Sequence, residues 1–258
     1  MIDFAFLDSG TGGLPYLLRL KELEPSAECV YIGDTLNFPY GTKSHDEIVS
    51  CVLSICDSIV EKFHPRAIIF ACNTMSVNAL VEARQKHTDI QIIGTVPAIK
   101  PAASVSKNRR IGLLATEATV QSEYISRLKD EYAGDCELIL RDDTELIDFI
   151  EHKSFTATDK ECEEACKPAA DFFKKENCDA VILGCTHFLN LAEIIQKVLG
   201  NEIKVVDSRD GVARRALDVC KVEKKEYNPL TELYVTGDAD NPEYRVISEK
   251  YGIIINKL

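Results

Sequence analysis

The sequence predicts an α/β protein of two similar α/β domains with mainly parallel sheets, and an active site in the cleft between them. Three observations predict this. Short apolar runs alternate with longer helical patterns along the chain, the order that builds parallel sheets from β-α-β units. The cycle closes near Pro97 and restarts at RIGLLAT (110–116). Two apolar runs more than a hundred residues apart, AIIFAC (67–72) and AVILGC (180–185), end alike, in a small residue and a cysteine.

The elements follow in order. DFAFLD (3–8) is the first strand, and the glycine-rich turn SGTGG (9–13) leads into a helix at LPYLLRLKEL (14–23). CVYIGD (29–34) is a second strand, followed by the loop TLNFPYGTKS (35–44) and a helix over 45–63. AIIFAC is the third strand, with a helix over 74–87 and QIIGTV (91–96) after it. In the second set, RIGLLAT resembles the opening strand. A helix is predicted over 118–132, a strand at CELILR (136–141), and helices over 144–150 and 158–176. AVILGC, a further helix and KVVDS (204–208) complete the set. The tail holds a helix over 210–224 and strands at ELYVTG (232–237) and YGIIIN (251–256).

Because the second set is complete by Asp207, the tail is expected to cross back and finish the first domain. That gives a discontinuous first domain, 1–97 plus 208–258, on the Cys72 side. The second domain, 98–207, lies on the Cys185 side, with a paired hinge around 97–100 and 208–211.

Bulk properties exclude several classes. At 258 residues, 45% hydrophobic and 28% charged, the chain has the composition of a soluble globular protein. A net charge of −12 without a lysine/arginine block disfavours nucleic acid and anionic membranes as partners. No apolar run approaches the ~20 residues of a membrane span, and the N-terminus carries no signal-peptide pattern, so a cytoplasmic location is expected. Ten cysteines in such a chain read as reduced thiols. Cys51 and Cys56 fit helix packing. Cys162 and Cys166, four apart, lack the companions of a metal site, so no metal is expected.

Cys72 and Cys185 stand apart from the rest. Ligands bind at the carboxyl ends of parallel strands, and a helix start there offers free N–H groups and partial positive charge, which favours thiolate. Asn73, Thr74 and Thr186 can hold an anion with the neighbouring amides. If the domains face each other, two sulfurs flank one small ligand. Inverting a carbon centre without a cofactor needs one group to remove a proton and another, opposite, to return one, and a thiolate/thiol pair suits that. Asp8 and Ser9 close the first strand, Asp8 to assist Cys72 and Ser9 to bind a charged group. His187 can tune Cys185, Tyr40 and Gly41 lie in the loop after the second strand, and Glu145 can reach the mouth. Each feature alone has a plain structural explanation, such as a packed thiol or a helix-start charge; the matched pair of strand–cysteine–polar units is what points to chemistry.

FLDSGTGGLP, YIGDTLNFPYG, ACNT, GCTH and YVTGD, in that order from residue 6 to about 240, resemble the motif set of bacterial glutamate racemases. The resemblance implies a cofactor-independent, two-thiol isomerase in the cytoplasm that supplies D-glutamate for peptidoglycan, commonly as a homodimer. It implies Cys72 and Cys185 as the two bases, and Asp8, Ser9, Tyr40, Gly41, Asn73, Thr74, Thr186 and His187 as substrate-binding residues. The chain departs from the common pattern at GCTHFLNL (184–191), at GTVPAIKPA (94–102) and at Met75. These departures bear on substrate fit, regulation or dimer mode. Alternatives are a sister racemase or isomerase acting on aspartate or another small acid, and a non-catalytic ligand-binding homologue. A thiol redox enzyme would want Cys-x-x-Cys, which neither cysteine has.

Overall fold

The computed structural model describes residues 2–258 except Lys224, Lys225, Asn228, Leu230, Thr231 and Pro242, and of Glu243 the backbone alone. The chain divides into two units, Met1–Thr95 with Arg209–Leu258, and Val96–Ser208.

In chain order, the first unit begins with Phe4–Asp8 (β1), Leu14–Leu23 (α1) and Cys29–Gly33 (β2). A 3-10 turn at Tyr40–Thr42, His45–Phe63 (α2), Ala67–Phe70 (β3), Asn73–Lys86 (α3) and Gln91–Gly94 (β4) follow. The second unit holds Ile99–Val105 (α4), Arg110–Ala115 (β5), Glu117–Val120 (α5), Glu123–Tyr132 (α6) and Glu137–Asp142 (β6). It continues with Thr144–His152 (α7), Asp159–Lys175 (α8), Ala180–Leu183 (β7), a 3-10 turn at Thr186–Leu191, Ala192–Leu199 (α9) and Lys204–Val206 (β8). The chain then returns to the first unit with Arg209–Val219 (α10), Glu232–Val235 (β9), Glu243–Tyr251 (α11) and Ile254–Lys257 (β10).

Both sheets are parallel throughout the described pairings. Their orders are β10-β9-β2-β1-β3-β4 and β6-β5-β7-β8. Without the two tail strands, the first reads β2-β1-β3-β4, which is the order of the second. The expected pair of similar α/β units with parallel sheets is what the chain forms. The strand sequences account for the order. β1 (FAFLD), β3 (AIIF) and β7 (AVIL) are buried at every position, as strands covered on both faces must be. β6, at an edge, has no buried position and mixes exposed with half-buried residues.

Local signals set the helix limits. Ser44 and Glu47 form a capping box at the start of α2, and Thr158 and Glu161 do so for α8, each satisfying two otherwise unpaired N–H groups. Ile48, Val52, Ile55, Cys56 and Ile59 make the buried stripe of α2. The helix expected over 118–132 is instead two, because Thr116 caps α5 and Ser122 caps α6 through side-chain oxygens; a residue that caps cannot also continue a helix. The tail also differs. Residues 243–251 form α11, ended by Gly252 at φ 64°, a left-handed stop that glycine accepts without penalty, so the last strand starts at Ile254 rather than at 251. The helix expected over 210–224 ends at Val219, and Lys224 lies outside the described residues. Of the two hinge segments, 97–100 opens α4 and 208–211 opens α10.

All ten cysteines are free thiols. Burial pushes Cys56, Cys166 and Cys178 up to about 12, and Cys29 likewise, which keeps them protonated and unreactive. Cys162 and Cys166 both point into the buried face of α8. Among the described residues no helix is long and apolar enough to cross a membrane.

The turn after β1 is held by close approach. A Cβ on Gly13 would come within 2.5 Å of the Ala71 carbonyl oxygen and 3.1 Å of Asp8 Cγ. Gly13→Ala is therefore expected to push this turn off the end of β3 at a cost of about 1–3 kcal/mol, read as a lower urea midpoint. An unchanged midpoint would mean the turn moves freely.

Candidate active site

In each sheet one central strand has neighbours reached by chain excursions in opposite directions: β1 lies between β2 and β3, and β5 between β6 and β7. The carboxyl end of such a strand is a topological switch point, where the connecting loops part and leave room for a ligand. Asp8 and Ser9 end β1 there. β3 pairs with β1 as far as Phe70↔Leu7, and one more ladder bond, Ala71 N–H to Leu7 O at 2.8 Å, brings Cys72 beside Ser9. β7 pairs with β5 as far as Leu183↔Leu114, and Gly184 N–H to Leu114 O at 2.7 Å continues that register until Cys185 aligns with Thr116. The glycine before Cys185 has a role in this. A Cβ on Gly184 would sit 2.6 Å from Leu113 Cδ1 and 3.1 Å from the Leu114 carbonyl oxygen, too close for the added strand residue to stay in register.

At the first end, Cys72 is the N-cap of α3, and its Sγ accepts the Met75 N–H at 3.5 Å. Ser9 Oγ lies 3.7 Å from the same sulfur. Asp8 is fully buried; its Oδ2 accepts the Gly13 N–H at 2.7 Å and lies 3.1 Å from the Tyr31 hydroxyl. Asn73 and Thr74 begin α3 and are buried. Both polar atoms of the Asn73 side chain are without a hydrogen-bond partner among the described residues. Buried polar groups are rarely left so, and a ligand with a donor and an acceptor would satisfy them. Met75 is fully buried and shares a core cluster with Cys72 and Tyr40.

Tyr40 begins the 3-10 turn after β2, and its hydroxyl donates to Asp34 Oδ2 at 2.5 Å. Burial first, then the Asp34 charge and hydrogen bond, push the phenol well above its usual range. Its proton thus stays on the bond to Asp34, and the turn has the Tyr40–Gly41 backbone to offer a ligand.

At the second end, Cys185 precedes a 3-10 turn rather than the α-helix expected there. The adjacent charge comes from side chains. His187 Nδ1 lies 3.5 Å from Cys185 Sγ, and His187 Nε2 lies 2.9 Å from Glu151 Oε2. Burial alone would lower the imidazole pKa; the Cys185 sulfur and the Glu151 carboxylate outweigh it and hold His187 well above its ordinary 6.5. Protonated, the ring donates from both nitrogens, which makes a continuous thiol–imidazole–carboxylate line. Thr186 is buried beside it.

The structure thus gathers Asp8, Ser9, Cys72, Asn73 and Thr74 at one strand end, with Tyr40 and Gly41 on the neighbouring loop, and Cys185, Thr186 and His187 at the other. Glu145 is not with them: it is exposed in the first turn of α7. The carboxylate of α7 that reaches His187 is Glu151. Six residues separate the two, about 240° around a helix, so they cannot share a face. Glu151 had no local signal, since its contact spans 36 residues. Thr116 had one: RIGLLAT repeats the opening strand, and Thr116 falls where Ser9 does.

Two α/β units of like strand order, each with a buried thiol at its own switch point, define an α/β protein with a matched pair of thiol sites. The Asp/Glu/hydantoin racemase family model matches residues 19–216, and the chain belongs to that family; it is a racemase, an isomerase. It is 35% identical to the glutamate racemase of Treponema pallidum over 92% of this chain and 88% of that protein. The crystal structure of Escherichia coli glutamate racemase with L-glutamate and the activator UDP-MurNAc-Ala matches at TM-score 0.85 and 29% identity, over 100% of this chain and 98% of the other. That of the Francisella tularensis glutamate racemase with D-glutamate matches at 0.80 and 25%, over 97% and 93%.

Proposed function

We propose that the protein is a cofactor-independent glutamate racemase in which Cys72 and Cys185 serve opposite faces of the Cα of one substrate. The equivalence of the two thiols carries this reading: each lies two residues past the end of the equivalent strand of its unit, β3 or β7, beside the polar residue that follows the central strand. One sulfur enters as thiolate and takes the α-hydrogen as a proton, leaving the bonding pair on Cα. The other enters as thiol and gives a proton to the opposite face. The reverse reaction starts from the protonation state in which the forward one ends. Ser9 and Asn73 at one end, and Thr186 with Thr116 at the other, offer hydrogen bonds to the substrate's carboxylates and ammonium. Asp8 assists on the Cys72 side, while His187, oriented by Glu151, exchanges protons with Cys185.

Glutamate as substrate is supported by the relatives: one is solved with the L enantiomer and another with the D. The same reading places the protein in the cytoplasm as a homodimer, supplying D-glutamate for peptidoglycan.

Solvent-deuterium incorporation tests it. Metal-stripped enzyme with no added cofactor, given L-glutamate in D₂O, should form D-glutamate carrying deuterium at Cα, while the L-glutamate still present early stays protiated. The reaction from D-glutamate should mirror this. No incorporation would end the reading, and faster turnover of L-aspartate would move the protein to the sister activity.

A further inference from the structure

The loop that carries Tyr40 and Gly41 is braced from the far end of the chain. Asp34, fully buried, is the hub. Its Oδ2 accepts from the Tyr40 hydroxyl at 2.5 Å, its Oδ1 accepts from the Thr236 hydroxyl at 2.7 Å, and the Asn37 amide donates to both oxygens at 3.0 Å. Thr236 follows β9 and is 202 residues away in sequence. Its hydroxyl oxygen also accepts the Leu36 N–H at 3.0 Å, and its own N–H donates to Gly33 O at 3.1 Å. The next residue, Gly237, donates its N–H to Thr35 Oγ1 at 3.0 Å. The tail therefore grips residues 33, 34, 35 and 36 in turn. Asp34 has no cationic partner among the described residues' ion pairs, so its buried charge is carried by these hydroxyl and amide donors.

A buried carboxylate held by several donors adopts one orientation, and losing a donor leaves it under-satisfied. Among the described residues, Thr236 contributes the side-chain hydroxyl that links this hub to the tail. We propose that Thr236 is a positioning residue for the racemase reaction: through Asp34 it fixes the 34–41 loop, and so the Tyr40–Gly41 backbone, in the geometry that receives the substrate. The inference rests on the reading of the Tyr40 turn as part of the substrate site. It also gives a function to the return of the chain to the first unit: Thr236 and Gly237 support the outer side of the loop that follows β2.

Thr236→Val removes the hydroxyl and keeps the shape, and Thr236→Ser keeps the hydroxyl. Two measurements decide. Amide hydrogen exchange over residues 35–43 should speed up about tenfold in the valine variant, with β1 and β3 unchanged as internal controls of folding, and return towards wild type in the serine variant. With glutamate, KM should rise about tenfold in the valine variant while kcat falls less than about threefold, again with rescue by serine. Unchanged exchange at 35–43 would overturn the brace. Faster exchange with an unchanged KM would overturn its role in substrate positioning. If wild-type enzyme turns over no glutamate at all, the proposed function fails, and the exchange measurement still decides whether Thr236 holds the loop.

Discussion

Cys72→Ala and Cys185→Ala should each abolish racemisation, with kcat down at least about 10³-fold, or about 4 kcal/mol. Both cysteines are buried, so the urea midpoint of each variant separates the loss of chemistry from any loss of stability. The mechanism makes a finer prediction. In either variant the remaining thiol can still remove and return a proton on its own face. Residual exchange of the α-hydrogen should therefore be confined to one enantiomer and proceed without inversion, and the favoured enantiomer should switch between the two variants. Cys→Ser at either position should keep a small residue of activity, because a hydroxyl is a far weaker acid than a thiol. Near wild-type racemisation by either alanine variant would falsify the two-base reading.

The second large effect is expected at Glu151. Glu151→Gln keeps the shape and the contact to His187 Nε2 but removes the charge. His187 is held above 6.5 by Cys185 and Glu151 against the opposing effect of burial, so the substitution should lower its pKa. We expect kcat to fall about 10²-fold and the alkaline arm of the pH–rate profile to move to lower pH, because His187 loses its proton earlier. Stability should follow the same sign. A histidine with a raised folded-state pKa stabilises fully below its unfolded pKa near 6.5 and loses that contribution as pH rises through the folded value. Wild type minus variant should therefore differ most in acid-side urea midpoints and converge at high pH. A variant with an unmoved alkaline arm and near-normal kcat would remove the carboxylate from the mechanism. Glu145→Gln, on the exposed face of the same helix, should change neither.

These two positions mark how far a sequence can be read. The α/β class, the parallel sheets and the repeated order were legible because burial on both faces writes a continuous apolar run, and because helix caps are local. α2 begins and ends where its capping box and apolar stripe say. The strand-end cysteines were legible for a related reason: a small residue followed by a thiol interrupts the apolar run at a place that parallel sheets reserve for ligands. GCTH also carried its histidine within two residues of the sulfur.

Contacts between elements were not legible. The sequence names both Glu145 and Glu151, and nothing local separates them; the rotation of α7 against the 3-10 turn at Thr186–Leu191 does. The same holds for the 118–132 segment, where two capping side chains override a helical pattern, and for Thr236, whose partner lies 202 residues earlier. By itself the sequence determined most of the strands and the long helices, the duplicated order, and the residues at the strand ends, since these depend on burial and neighbours a few residues apart; it did not show the break in 118–132 or the helix over 243–251. Only the tertiary structure decided which carboxylate faces His187, that Tyr40 spends its hydroxyl on Asp34, and that Thr236 and Gly237 bond to residues 33–36. Those depend on the angles at which finished elements pack, and no local pattern encodes an angle.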